Sequence, residues 1–307
     1  MRVAAVDVGS NTIHALVADV EGGRVEDLGH FVEMPSLGAE VSRTGRIGVA
    51  KGAEAIEALR SVVSQARDLG FEHLIAGATE AIRRAADRDE FLAAATVAIG
   101  HPVHLIPAKR EAELSFAGVA SRHAARKRWL MGDLGGGSTE LVEASARRIV
   151  EWRSLPIGSG VLASKYLSDP PRPGEREALR KEAVELLAKA PESEPTKLVV
   201  TGGTSSNIPK VLSALRPPMV LTTQALLRAE QKLDSAPASE LEARHLLRPG
   251  RVQAMRGGIE VLLLLLDWAG LDRLHVSIEG LRQGMILAYL ERGSEWWVEG
   301  SAAAQPA

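Results

Sequence analysis

An internal repeat constrains this 307-residue chain more than any other feature. The segment VAAVDVGSNTIHALVADVEGGRV begins at Val3, and RWLMGDLGGGSTELVEASARRIV begins at Arg128. Placing Asp7 on Asp133 carries Gly9 onto Gly135, Thr12 onto Ser138 and Leu16 onto Val142 without a gap. Each copy reads as strand, acidic residue, Gly-rich turn with hydroxyls, strand, turn, strand. The offset of 126 positions is too long for a solenoid and suits a duplicated domain. Two such domains facing each other would bring the two turns to opposite sides of one cleft.

The flanking pattern alternates strand and helix, which predicts an α/β fold. Strands are expected at 2–6, 13–18, 73–76 and 103–106. Helices are expected at 50–66, 87–99 and 107–120, with Pro107 in the first turn of the last. In the second half, 168–174 reads as a loop and 175–190 as a charged amphipathic helix. A strand at 197–200 runs into Thr201-Gly202-Gly203-Thr204. Helices at 252–269 and 280–292 flank a strand at 274–277.

An Asp at a strand end, followed by Gly and Ser/Thr, has a chemical use. Glycines let the backbone approach an anion and point N–H groups at it. Gly9, Ser10, Asn11 and Thr12 form one such turn, and Gly135, Gly136, Gly137, Ser138 and Thr139 the other. Gly202, Gly203 and Thr204 supply a third contact of the same kind. Asp7 and Asp133 repel phosphate directly, but they can hold Mg²⁺ or its waters. No Gly-Lys-Ser/Thr follows either turn, so these are not Walker loops.

Composition narrows the chemistry further. The chain has no cysteine, which excludes disulfides, thiolate zinc sites, iron–sulfur clusters and thiol nucleophiles. Net charge is −2, from 37 Lys+Arg against 39 Asp+Glu, so no bulk basic surface is available to grip nucleic acid. The N-terminus reaches Asp7 too early for a signal-peptide core, and the longest apolar run, 261–266, is far short of a membrane span. A cytoplasmic protein is expected, with a small, polar, disordered tail at 301–307. His101 and His104 lack a ligand cluster and read as surface residues. Trp152 reads as a packing residue, and Trp296–Trp297 as an exposed pair suited to a dimer contact.

The order DVGSNT, ATEAIR, REAELSFAGV, DLGGGSTELV, TGGTSSN, EGLRQG resembles the exopolyphosphatase and guanosine pentaphosphate phosphohydrolase family, over nearly the whole chain. The resemblance implies two duplicated ribonuclease H-like (actin-like) domains with a cleft between them. These would be residues 1–125 and 126–279, with the last helix, about 280–300, returning to the first domain. The chain looks like the family's short two-domain form. The resemblance also implies that Glu111 positions and deprotonates the attacking water, and that Arg83 faces the cleft. Asp133, Asp7 and Glu140 would hold or support the metal, Mg²⁺ or Mn²⁺. Departures stand at Ser36, where the family has Arg; at His14, where it has Arg; at Lys109 and Arg110, before the catalytic Glu; and at Gln253, where it has Asp.

The expected activity is removal of the terminal phosphate of inorganic polyphosphate. The alternative is hydrolysis of guanosine pentaphosphate. A kinase and a non-catalytic actin-like protein are further readings of the same fold. Polyphosphate would favour a basic track leading from the cleft, drawn from Arg43, Arg46, Arg83, Lys109, Arg110, Arg122, Arg126, Lys127 and Arg128. No nucleic-acid or membrane partner is expected, and a homodimer is.

Overall fold

A computed structural model describes residues 1–123, 125–190, 193–213 and 219–299. The tail at 301–307 lies outside the described residues. The chain opens with an antiparallel meander, β1 (Arg2–Val8), β2 (Ile13–Glu21) and β3 (Arg24–Glu33). There follow α1 (Leu37–Thr44), α2 (Val49–Asp68), β4 (His73–Ala78), α3 (Glu80–Arg84), α4 (Arg88–Ile99), β5 (Val103–Leu105) and α5 (Ala108–Arg122). The sheet order is β3-β2-β1-β4-β5, with β4 parallel to β1 and β5 parallel to β4.

The second half repeats the plan. A meander of β6 (Arg128–Leu134), β7 (Thr139–Ser145) and β8 (Arg148–Leu155) leads to α6 (Ser159–Tyr166), α7 (Glu175–Leu187), β9 (Leu198–Thr201) and α8 (Gly203–Val211). Then come β10 (Val220–Thr222), α9 (Thr223–Asp234), α10 (Ala238–His245), α11 (Pro249–Trp268), β11 (Arg273–Val276) and α12 (Leu281–Arg292). The sheet order is β10-β11-β9-β6-β7-β8. Two α/β units built on the same meander are therefore present, as the repeat predicts.

Strand periodicity sorts the first core into layers. Ala4, Val6 and Val8 pack with Leu59, Val62 and Val63 of α2, while Val3 and Ala5 pack with Met285 and Ile286 of α12. The central strand is buried on both faces, which explains why VAAV reads as a continuous apolar run. In the second sheet, Leu130 and Leu134 pack toward α11, while Trp129 and Met131 pack toward Phe116 and Val119 of α5.

Helices α5 and α12 cross in near-backbone contact. A Cβ on Gly118 would stand 2.1 Å from the Gly280 carbonyl oxygen, and a Cβ on Gly284 would come still nearer to that of Leu114. Only glycine permits this approach. The crossing places the first turns of both helices, with Glu111 and Arg282, at the same cleft.

Several sequence expectations change. Pro107 precedes α5 as its cap residue (φ −60°, ψ 150°) rather than entering the first turn. Trp296 is only 2 % exposed; it packs edge-on to His104, and its carbonyl accepts from Arg110. Trp297 stacks on His104. The tryptophan pair is thus an inward anchor for the end of the chain, and the dimer expectation loses the observation it rested on. Helices α1, α3, α6 and α8 to α10 and strand β10 are not among the elements expected from sequence.

Candidate active site

The two hairpin turns meet across a cavity of about 220 Å³. Asp7 pairs with His14 across β1 and β2, and Asp133 pairs with Glu140 across β6 and β7. The duplicated hairpins thus deliver two residues each to the cavity, in the same register. Gly9, Ser10, Asn11 and Thr12 line it from one side. Gly135, Gly136, Gly137 and Ser138 line it from the other, and Gly202 and Gly203 supply a third stretch of wall. Asp7, Asp133, Glu140 and Glu111 also line it.

Thr139 and Thr204 stand apart from this wall. The Thr139 hydroxyl donates to the Ile157 carbonyl, 2.5 Å away, and Thr204 is 1 % exposed with Oγ1 unpartnered among the described residues. Arg83 sits behind the cavity. Its guanidinium donates to Glu111 Oε2 at 2.5 Å and to the Ile106 carbonyl at 2.8 Å.

The site is a buried cluster of carboxylates with few cations. Burial pushes the Glu111 carboxyl well up; the negative charge of Glu140 adds to this, and the Arg83 contact opposes it. Glu140 is pushed up to about 7 by burial and by Asp133, against hydrogen bonds to its Oε1 from Ser138 (2.9 Å) and Ser154 (2.8 Å). Asp7 is pushed up to about 6 by burial, with Arg282 opposing at 3.5 Å. Burial also raises Asp133, whose Oδ2 accepts from Ser115 Oγ at 2.5 Å. Burial, followed by the charge of Arg282, holds His14 well below the ordinary imidazole value, so its ring is neutral.

Asp7 Oδ1 is buried and, among the described residues, receives no hydrogen bond. A buried, unpartnered carboxylate oxygen beside other carboxylates is the kind of donor a hard cation satisfies. Among the described residues, no three His, Asp or Glu side chains converge closely enough to hold a metal by themselves. One or two carboxylates completed by phosphate oxygens and water is the Mg²⁺ pattern, whereas a closed zinc site needs four protein ligands.

The cavity's own cations were not assigned from sequence. Arg282 opens α12, and Arg251 lies over Gly203, where a Cβ would stand 2.2 Å from Arg251 Nη1. Both belong to segments that had served only as landmarks, EGLRQG and the stretch around Gln253. Glu80, from ATEAIR, accepts from Ser10 Oγ and from Arg84, both at 2.9 Å. Among the departures, Gln253 donates to the Leu167 carbonyl and accepts from Arg256, tying α11 to the loop that follows α6. Lys109 is exposed, and the backbone N–H of Ser36 donates to the Asn11 carbonyl.

The model of the Ppx/GppA phosphatase family matches residues 16–293. The chain belongs to the Ppx/GppA phosphatase family. It is 32 % identical to exopolyphosphatase 2 of Mycobacterium tuberculosis, covering 94 % of this chain and 98 % of that protein. A crystal structure of the Aquifex aeolicus member of the family matches with a TM-score of 0.77 at 27 % identity, over 96 % of this chain and 99 % of that one. An exopolyphosphatase structure from Cytophaga hutchinsonii shares the fold, with a TM-score of 0.85 at 22 % identity, over 95 % and 98 %.

Proposed function

We propose that this Ppx/GppA protein is an exopolyphosphatase that hydrolyses the terminal phosphate of inorganic polyphosphate, with Glu111 as the base for the attacking water. One observation carries the reading. Glu111 opens α5 at the cavity wall, 7 % exposed, with one oxygen held by Arg83. A buried carboxylate whose pKa is pushed up is matched to taking a proton near neutral pH. The relative named exopolyphosphatase 2 supports polyphosphate as the substrate.

In this reading, the backbone N–H groups of the three turns cradle phosphate oxygens, and Ser10, Thr12 and Ser138 add hydroxyl donors. Arg83 fixes the Glu111 carboxylate toward the reacting end. Arg282 and Arg251 neutralise charge that the turns do not reach. Asp7 and Asp133, with Glu140 behind, would hold Mg²⁺ (or Mn²⁺), which would draw charge from the phosphate oxygens. Glu111 takes the proton of the water as it attacks phosphorus, and the shortened chain leaves.

The basic track foreseen from sequence is largely engaged elsewhere. Arg43 pairs with Glu40, Arg46 with Asp87, Arg122 with Glu279 and Arg128 with Glu143, while Arg110 is buried against Trp296 and Glu113. The test is phosphate release from short polyphosphate, long polyphosphate and guanosine pentaphosphate, run side by side with Mg²⁺. Turnover of polyphosphate well above pentaphosphate is expected; the reverse order would overturn the assignment.

A further inference from the structure

The residue that stands where the family has arginine, His14, is the end of a hydrogen-bonded chain. His14 Nε2 lies 3.1 Å from His30 Nδ1, and His30 Nε2 lies 3.1 Å from Asp27 Oδ2. Asp27 Oδ2 also accepts from Gln283 Nε2 at 2.9 Å. Gln283, 2 % exposed, accepts the Gly280 N–H through Oε1 at 3.0 Å, which fixes which end of its amide faces Asp27. The chain therefore begins in α12, beside Arg282, and ends at the cavity wall, which His14 lines.

The direction of the hydrogens follows from the donor inventory. An ionised Asp27 only accepts, so His30 Nε2 carries the hydrogen of that contact. When His30 is neutral its Nδ1 is bare and accepts from His14 Nε2–H, whereas a doubly protonated His30 would donate to His14 instead. The neutral His14 ring is left with a bare Nδ1, and among the described residues nothing in the protein donates to it. With His30 neutral, the ionised Asp27 sets the direction of both histidine links, and the Gly280 amide fixes only the Gln283 end of the chain.

We propose that Asp27 and His30 are positioning residues that lock His14 in the Nε2–H tautomer, and that its Nδ1 accepts a hydrogen bond from a hydroxyl of the bound substrate. An arginine at this position would offer only donors, suited to fully ionised phosphate oxygens. An acceptor there selects a group that carries a hydrogen. On polyphosphate that group is a protonated terminal phosphate, and on guanosine pentaphosphate it is a ribose hydroxyl. The substrate half of this inference rests on the phosphohydrolase reading above; the tautomer half does not.

The tautomer is read by long-range ¹H–¹⁵N correlation of the His14 ring in the ligand-free protein. A protonated Nε2 with bare Nδ1 is expected, and a protonated Nδ1 would overturn the proposal. Asp27→Asn replaces the acceptor with an amide that can present either end, so the His14 ring should populate both tautomers. A merely structural Asp27 would leave the ring signals in place. For the substrate half, His14→Leu should raise KM about three- to ten-fold with little change in kcat, the size of one lost hydrogen bond. His14→Asn, which keeps a short acceptor, should recover part of that. A rise with short polyphosphate identifies the phosphate hydroxyl, and a rise with guanosine pentaphosphate alone identifies the ribose. An unchanged KM on both refutes the contact. Inactivity of the unaltered protein on both substrates would instead refute the phosphohydrolase reading, and the ring tautomer would still decide the relay.

Discussion

The two hairpins are copies in backbone and opposites in side chain. Asp7 pairs with His14 and Asp133 with Glu140, and each second strand shifts register at the equivalent point, between Val17 and Ala18 and between Glu143 and Ala144. Yet the first turn carries Ser10 and Asn11 where the second carries Gly136 and Gly137. A Cβ on Gly136 would lie 2.5 Å from Asn11 Cγ, and one on Gly137 would lie 2.0 Å from Glu80 Oε2 and 2.5 Å from Ser10 Oγ. The polar side chains of one turn occupy the space the glycines of the other leave open. Duplication supplied the frame, and divergence made the two halves complementary across the cleft.

The largest test of that division concerns Glu111, which belongs to neither hairpin but is raised by burial and then by the charge of Glu140. Glu111→Gln leaves both turns intact and removes the base. Its kcat is expected to fall ~10²–10⁴-fold with polyphosphate binding nearly unchanged, measured by steady-state turnover and equilibrium binding. A near-normal kcat would move the base to another carboxylate. Glu80, held by Ser10 and Arg84, and Glu113, paired with Arg110, are both engaged elsewhere.

Next in size is the comparison of the two aspartates. Asp133 accepts from the Ser115 hydroxyl and feels Arg282 only at longer range, whereas Asp7 stands 3.5 Å from the Arg282 guanidinium. An arginine already neutralises part of the Asp7 charge. Asp133→Ala should therefore lose activity and Mg²⁺ affinity together, and Asp7→Ala should lose less metal affinity, both read by Mg²⁺ titration. Equal losses would show that the two copies share the ion evenly.

Much of this was legible in sequence because it rests on local pattern. The repeat exposed the meanders, and the strand-end aspartates marked the cleft. What escaped depended on tertiary contacts. Arg282 reaches the site only because Gly118 and Gly284 let α12 cross α5 so closely. The Asp27–His30–His14 chain joins β3 to β2 through a register that no local motif announces. The glycines of DLGGGSTE were read as space for an anion, whereas two of them also make room for Asn11, Ser10 and Glu80. Trp296 read as exposed because nothing near it in sequence shows the α12–β1 layer it enters.

The acidic cluster also predicts how stability responds to pH. Asp7 at about 6 and Glu140 at about 7 both lie above their unfolded values, so folding takes up protons. The stabilisation is fully present below about pH 4 and is lost as pH rises through about 6 to 7. After burial, the charge of Asp133 raises both groups, so their contributions are not independent. In chelator, thermal stability should fall between pH 5 and pH 8, and added Mg²⁺ should flatten the fall. A profile that rises over this window would show that the cleft's arginines, not its carboxylates, set the balance.

The smallest effect tests the interlock itself. Gly136→Ala puts a methyl group against the Asn11 amide, and overpacking of this kind costs about 1–3 kcal/mol. The cost should depend on Asn11 being present. Asn11→Gly removes the obstructing side chain, and it also gives the first turn the residue its copy carries at Gly137. If the turns interlock, Gly136→Ala should cost little in the Asn11→Gly background, with a coupling of about 0.5–3 kcal/mol in a double-mutant cycle of denaturant unfolding. Additive effects would mean that the glycine serves only its own turn. The complementarity of the hairpins would then be an accident of packing, and the reason for Gly136 would return to the anion it was first read to approach.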